Sequence, residues 1–346
     1  MRITHLFLLI APLCAFGQPP PGYYDAAAGL SGDQLRTALR DIIAGHTVLD
    51  YGSLWNYFPL TDHREGSTSL VWDMYSDVPG GTPPYQYVFG TSDQCGNYDS
   101  EGDCFNREHS FPKSWFGGDA PPMNSDLHHL YPTDGYVNNK RGELPFGRVG
   151  SADWTGQNGS RTGMNISQGY NGTVFEPLDA YKGDLARAHF YMLTRYWGQT
   201  ASWSSPGLQS GDLAQWYEAL LLTWHASDPV SEKEMERNNI VFAHQHNRNP
   251  FIDNPQWVQS IWGPVASVQE LDALVPSVRV QGDELIIDVP YAYTSGGIEL
   301  FDTAGRVLHT GSLAGSSTRI PLQLSSGHYV ALVTIDTQRH AKRFVR

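Results

Sequence analysis

Positive charge and cysteine are both scarce in this 346-residue chain, and each scarcity narrows what the protein can be. Lys and Arg total 23 against 36 Asp and Glu, a formal net charge of -13. Overall charge therefore does not recommend a nucleic-acid or membrane-surface partner, which a basic protein would hold more readily. A hydrolase acting on a polyanion needs only a local positive groove and must release its product, so that class is disfavoured without being excluded. Charged residues are 17% and hydrophobic residues 40% of the chain, enough apolar material for a real core and too little charge for wholesale disorder. Beyond the N-terminus no run is long and apolar enough to span a bilayer. The length exceeds that of a typical domain, so two domains or one large one are expected.

Residues 1–17 read as a secretory signal peptide. Arg2 supplies the positive start, residues 6–16 the short apolar stretch, and Ala15-Phe16-Gly17 a small-x-small cleavage site that leaves Gln18 first. Cys14 is removed with it, since Leu13 is too large for a lipoprotein box. Only Cys95 and Cys104 remain. An even number of cysteines in an exported protein favours a disulfide, the alternatives being two free thiols or a structural metal pair. A bridge here would brace the chain just before Asn106-Arg107-Glu108-His109.

Ser31 as N-cap, Leu35, Leu39, Ile42 and Ile43 on one face, and Gly45 as a stop predict a helix within residues 30–46. Residues 53–103 are rich in Gly, Pro, Tyr, Asp and Ser and read as irregular, with a short strand over 87–89. Residues 152–173 read as a Gly/Asn/Ser-rich loop; its Asn158, Asn165 and Asn171 sequons would matter only in a glycosylating eukaryotic host. Helices are expected over 183–197, 212–224 and 231–246, the last with a Ser231–Glu234 capping box. Their aromatics belong in a core rather than on a base-stacking platform. Near Pro276 the character changes. Alternating runs at 278–280, 285–289, 297–301, 307–310, 319–322 and 329–335, separated by Gly turns, predict a sandwich of about seven strands. Arg339, Lys342, Arg343 and Arg346 give it a basic strand or tail.

The chemistry concentrates in two segments, NREHSFPKSWFG at 106–117 and DLHHLYPTDGYVNNKRGELPFG at 126–147. The adjacent Glu108 and His109 place a hard oxygen ligand beside an imidazole, and the second segment adds imidazoles, carboxamides and cations. A metal-assisted phosphodiesterase needs this set: a ligand for a divalent ion, a base for water and positive charge for phosphate. Each residue also has a plainer reading. His109 could be a surface histidine, Glu108 a solvated charge, and Asn138 a brace for a helix. His128 and His129 suit structural hydrogen bonds or a supporting role around the site, and Asp126 a structural acceptor. Arg141 fits either a phosphate contact or a buried ion pair. Asn247, Arg248 and Asn249 fit the locking of a loop through backbone bonds.

NREHSFP, DLHHLYPTDGYVNNKRG, GDLARAHFYM, and DPVSEKEMERNN with HNRNPFID occur in the order found in the bacterial endonuclease I family, which residues 23–261 resemble. The resemblance implies an α+β fold, a mostly helical catalytic domain over 18–270 around a ββα-metal (His-Me finger) core. One strand would deliver Glu108 and His109, a second would span 127–131, and a helix would follow with Pro132 in its first turn and Thr133 and Asp134 at its start. By position, His109 becomes the general base and Glu108 and Asn138 the ligands of Mg²⁺, with Ca²⁺ or Mn²⁺ able to substitute and Zn²⁺ less suited to such oxygens. Where many members have Asn-Gly-Asp-Arg this chain has Asn138-Asn139-Lys140-Arg141, so Asn139 is the alternative to Asn138 and Lys140 is a departure. For the arginine that holds the scissile phosphate, Arg141 and Arg107 are the candidates. The C-terminal module at 276–346, ending SSGHYVALVTIDTQRHAKRFVR, resembles a type IX secretion sorting domain of the Bacteroidota. Together these imply a secreted, monomeric, Mg²⁺-dependent endonuclease without sequence preference, acting on DNA, with RNA left open as a second substrate, and using the type IX secretion machinery. The alternatives are an inactive nuclease-like surface binding module and a secreted metallo-phosphoesterase.

Overall fold

The computed structural model describes residues 18–263 and 276–346, except 290–292, 304, 323 and 337; the expected signal peptide lies outside the described residues. The chain forms two compact units, Met1–Gly263 and Pro264–Arg346. No helix among the described residues is long and apolar enough to cross a membrane.

The first unit mixes helix and strand. Helix α1 (Gly32–Ile43) buries Leu35, Leu39 and Ile43, the face that its spacing selects. The pair β1 (Phe105–His109) and β2 (Leu130–Asp134) is antiparallel, with Glu108 opposite Tyr131 and His109 opposite Leu130. Helix α2 (Gly135–Arg141) follows directly. The second strand and the helix thus start later than their sequence suggests. Residues 127–129 form a 3₁₀ turn, while Pro132 and Thr133 lie inside β2. The helix start belongs to Asp134, whose carboxylate accepts from the Val137 N–H.

A second correction concerns residues 152–173. Instead of a loop, β3 (Val149–Thr155), β4 (Arg161–Asn165) and β5 (Thr173–Glu176) form a three-stranded sheet. Its pairing shifts register between Val149 and Trp154, where a Cβ on Gly163 would lie 2.1 Å from the Ser151 carbonyl oxygen. Glycine permits that approach, and it also disguises the strand.

Helix α3 (Lys182–Arg195) is the hub, buried continuously from Gly183 to Thr194. Around it pack α1 and α4 (Gln215–Ser227), and α5 (Glu232–Gln245) is tied to it by the Arg187–Glu234 ion pair. The capping box is present: Ser231 Oγ accepts from Glu234 N–H, and Glu234 accepts from Ser231 N–H. The helix expected from Asp212 begins only at Gln215, because Asp212–Leu213 pairs with Leu208–Gln209 in a small hairpin. Tyr191, Tyr196, Trp216, Tyr217 and Trp224 are all buried in the core.

In the second unit seven antiparallel strands among the described residues form two sheets. They are β6 (Ser277–Gln281), β7 (Glu284–Asp288), β8 (Gly296–Phe301), β9 (Val307–Ser312), β10 (Ser317–Pro321), β11 (His328–Ile335) and β12 (Gln338–Val345). One sheet runs β9-β8-β11-β12 and the other β10-β7-β6. Leu285 and Ile287 of β7 share one core with Ile298, Leu300, Ala331 and Val333. That is a sandwich, as the alternation of its apolar residues requires.

Candidate active site

Consecutive strand residues face opposite ways, and the site is built on that. Asn106 and Glu108 of β1 meet α2: Asn138 Nδ2 donates to Asn106 Oδ1 at 2.6 Å, and Arg141 Nη1 donates to Glu108 Oε1 at 2.8 Å. Asn138 and Arg141 are one helical turn apart and so share a face. Arg107 and His109 lie on the other side of the strand, against Tyr51. The His109 and Tyr51 rings stack at 5.7 Å between centroids with planes 22° apart.

Glu108 is 3% exposed. Burial raises its carboxyl pKa, while the Arg141 charge and the Tyr75 and Arg141 hydrogen bonds oppose that shift. Tyr75 Oη donates to Oε1 at 2.7 Å, so both side-chain donors fall on the same oxygen. Asn138 uses its N–H on Asn106, which leaves its amide oxygen free of that bond. The site therefore has one carboxylate oxygen and one carboxamide oxygen to offer a cation.

His109 Nε2 lies 3.0 Å from the Asn124 carbonyl oxygen. A carbonyl can only accept, so Nε2 carries the proton and Nδ1 keeps its lone pair. Burial, followed by the nearby His129 and Lys113 charges, depresses the imidazole to about 3, so it is neutral in ordinary conditions.

Of the two readings of Arg141, the geometry favours the ion pair. Arg141 is 0% exposed, with Nη1 also 2.8 Å from the His109 carbonyl oxygen and Nη2 2.5 Å from that of Ser110. A guanidinium enclosed by a carboxylate and two carbonyls has no face for a phosphate; it is the buried ion pair, and it fixes the end of β1. Arg107 is half-buried beside Tyr51. Asp126 is fully buried, accepting from the Tyr191 and Tyr196 hydroxyls, the Gln245 amide and the His128 N–H. His128 and His129 are buried with their Nε2 atoms on the Asn247 and Met123 carbonyls. Asn139 is exposed on α2. Asn247 and Asn249 brace their loop through Tyr191, the Ile43 and Arg187 carbonyls and the Phe251 N–H, while Arg248 pairs with Asp253.

Cys95 and Cys104 are joined, their Cα atoms 5.6 Å apart. The Cys104 carbonyl accepts from Gly135 N–H at 2.9 Å, so the closed loop abuts the start of α2. It also carries Tyr98, whose ring would lie 2.6 Å from any Cβ on Gly135.

Tyr51, Tyr75, Asn106 and Asn124 were given no role from sequence. Asn106 stood inside a recognised motif. Tyr75 lies in irregular chain 33 residues from Glu108, where no local period could reveal it.

A buried carboxylate beside a neutral imidazole, with a carboxamide from the next helix, is a donor-and-base set suited to cleaving a phosphodiester. The Endonuclease I family profile matches residues 31–256, and the chain belongs to that family. It is 35% identical over 267 residues to an extracellular ribonuclease of Bacillus subtilis, covering 74% of this chain and 83% of that protein. It is 37% identical over 254 residues to an extracellular ribonuclease of Bacillus amyloliquefaciens, covering 69% and 78%. An extracellular deoxyribonuclease of Aeromonas hydrophila is 30% identical over 132 residues, covering 38% of this chain and 50% of that one. The protein is a nuclease, of a family generally dependent on divalent metal.

Proposed function

We propose that this nuclease is a secreted endonuclease without sequence preference, cleaving both RNA and DNA to 5′-phosphate products with Mg²⁺ as the physiological ion. The observation that carries the reading is the arrangement at the end of β1, an Nε2-protonated His109 next to a Glu108 whose two side-chain donors sit on one oxygen. RNA is included because the relatives matching most of the chain are named ribonucleases, whereas the deoxyribonuclease match spans 38% of it.

Glu108 and Asn138 fit a hard divalent ion. Both offer oxygen, and among the described residues no group of three or more His, Cys, Asp or Glu stands ready to form a dense cage. Mg²⁺ suits such a sparse site because it keeps several waters; Ca²⁺ or Mn²⁺ could replace it. When bound, the ion would supply Lewis-acid neutralisation of charge at the scissile phosphate.

His109 takes the proton of the attacking water at Nδ1, while its Nε2–H stays on the Asn124 carbonyl and holds the tautomer. In-line attack then expels the 3′ oxygen and leaves the phosphate on the 5′ side. Tyr75 and Arg141 hold Oε1 of Glu108, and Asn106 holds the Asn138 amide, so neither ligand must be ordered during binding. Contacts to phosphate and sugar dominate recognition, hence little sequence preference. The β-sandwich acts as a type IX secretion sorting domain following export by the signal peptide, a reading supported by its seven strands and basic last strand.

Supercoiled plasmid and a structured RNA, each incubated with mature protein and Mg²⁺, should be cut, and EDTA should protect them. His109→Ala should slow cleavage about 10²–10⁴-fold. Intact substrate with the wild type and Mg²⁺, or equal cutting by the variant, would sink the assignment. End-labelling of the fragments checks the 5′-phosphate.

A further inference from the structure

We propose that Arg107 forms a second phosphate subsite, holding a phosphodiester adjacent to the scissile one; this rests on the catalytic assignment of Glu108 and His109. The buried arginines of the catalytic unit are neutralised, and Arg195, half-buried like Arg107 and without an ion-pair partner among the described residues, gives its Nε–H to His46 Nδ1. Arg36 pairs with Asp212, Arg141 with Glu108, Arg187 with Glu234, Arg237 with Asp62 and Arg248 with Asp253. Among the described residues Arg107 has no carboxylate within ion-pair reach.

It has a seat instead. The guanidinium carbon lies 3.8 Å from the Tyr51 ring centroid and 4.7 Å from that of Trp55. Nη1 donates to the Tyr51 carbonyl at 2.6 Å. Two rings and one carbonyl fix the plane of the cation without cancelling its charge. The remaining N–H groups make no other hydrogen bond to a described residue. A half-buried, oriented and uncompensated fork is the form in which arginine takes a phosphate.

Its place selects which phosphate. Arg107 and His109 are alternate residues on one side of β1, both against Tyr51, and so stand about 6.7 Å apart along the strand. That is the scale of the separation between successive phosphates on one nucleic-acid strand. With His109 at the scissile linkage, Arg107 meets its neighbour. Lys113, whose charge reaches His109, is already paired with Asp119 at 2.8 Å. In a chain of net charge -13, an unpaired cation here is a local attraction that the bulk charge cannot supply.

The test compares a dinucleotide, with one phosphodiester, against a tetranucleotide, and measures affinity for labelled single-stranded oligonucleotide in EDTA at several salt concentrations. Arg107→Gln keeps a donor for Tyr51 but removes the charge. It should lower kcat/KM on the tetranucleotide about tenfold or more, mainly through KM, and leave the dinucleotide rate unchanged. The slope of log K against log salt should shrink by about 0.7. Arg107→Lys, which keeps the charge, should keep the slope even if its melting temperature drops. Equal losses on both substrates, or an unchanged slope with Gln, or a slope lost with Lys as well, would overturn the subsite. Failure of the catalytic assignment would look different, because the His109→Ala plasmid assay would then show full cutting.

Discussion

The two units of the chain are held together by different means. In the catalytic unit Arg36, Arg141, Arg187, Arg237, Asp126, Asp184 and Glu234 are each at most 6% exposed. In the sandwich the buried polar side chains reduce, among the described residues, to Thr318. The contrast follows from backbone hydrogen bonding. A sheet satisfies its own N–H and C=O groups, so its core can be wholly apolar. The catalytic unit contains much irregular chain, and buried arginines serve as donors to its carbonyls: Arg237 to Leu127 and Leu130, Arg141 to His109 and Ser110. The carboxylates then neutralise those arginines. Arg107 shares the first pattern, donating to the Tyr51 carbonyl, and lacks the second.

The sharpest way to break the comparison is to remove one arginine. Arg187 holds both oxygens of Glu234, at 2.5 and 2.7 Å, with Asp184 3.9 Å away. Burial already pushes both carboxyls up. Arg187→Met leaves them unpaired and should cost about 3–5 kcal/mol. All ten tryptophans lie between Trp55 and Trp262, so tryptophan fluorescence in urea reports this unit alone. A midpoint within error of wild type would mean that the pair is dispensable. The counterpart in the sandwich is Leu300→Ala, at a fully buried position, with an expected cost of about 3 kcal/mol. Circular dichroism should register it, while the tryptophan transition and the nuclease rate stay put.

The same division decides what the sequence could reveal. In β6 Val278 and Val280, packed against the sandwich core, alternate with exposed Ser277, Arg279 and Gln281, and Gly-containing turns mark the strand ends. Local period and fold agree there. In the catalytic unit the helices were legible for the same reason, down to the Ser231 cap. The site was legible only as motifs. The Tyr75 and Arg141 contacts to Glu108 each join residues 33 apart, and Asn138 meets Asn106 across 32. Such partners leave no periodic trace. Pro132 misled in a particular way: proline and the following Thr133 and Asp134 suit a helix start, yet β2 takes all three, and only its last residue, Asp134, also caps the helix. The sheet of β3 to β5 was hidden because β3 is largely exposed and carries no alternating apolar face.

Acid should separate the units next. Burial depresses His128 and His189 to about 3, against an unfolded value near 6.5. The unfolded chain therefore takes up protons that the fold refuses, and stability present above pH 6.5 is lost as pH falls. Asp73 works in the other direction: burial raises it to about 7, so the fold retains a proton that the unfolded chain has released. For these three groups the difference between roughly pH 6.5 and 4 is one proton, a loss of ~1.4 kcal/mol per pH unit, and His109 and His225, depressed to about 3 and about 4, steepen it further. Asp73→Asn should steepen the fall of the tryptophan-monitored midpoint, and His189→Gln should flatten it. A midpoint that rises on acidification would contradict the assignment of these groups.

The smallest effect tests whether helix ends still matter in a unit so full of buried charge. Ser231 Oγ accepts from Glu234 N–H at 3.1 Å, and Glu234 Oε2 accepts from Ser231 N–H at 3.0 Å while also binding Arg187 at 2.7 Å. The cap and the ion pair thus share one carboxylate. Ser231→Ala alone should cost about 1 kcal/mol, the usual value of an N-cap. In the Arg187→Met background Glu234 is no longer held from the α3 side, and the cap is the remaining fixed point. The two losses should then fail to add, with a coupling of about 0.5 kcal/mol or more in a double-mutant cycle read by tryptophan fluorescence. Strict additivity would show that helix capping and charge burial are independent here, and that the catalytic unit is built from separable parts.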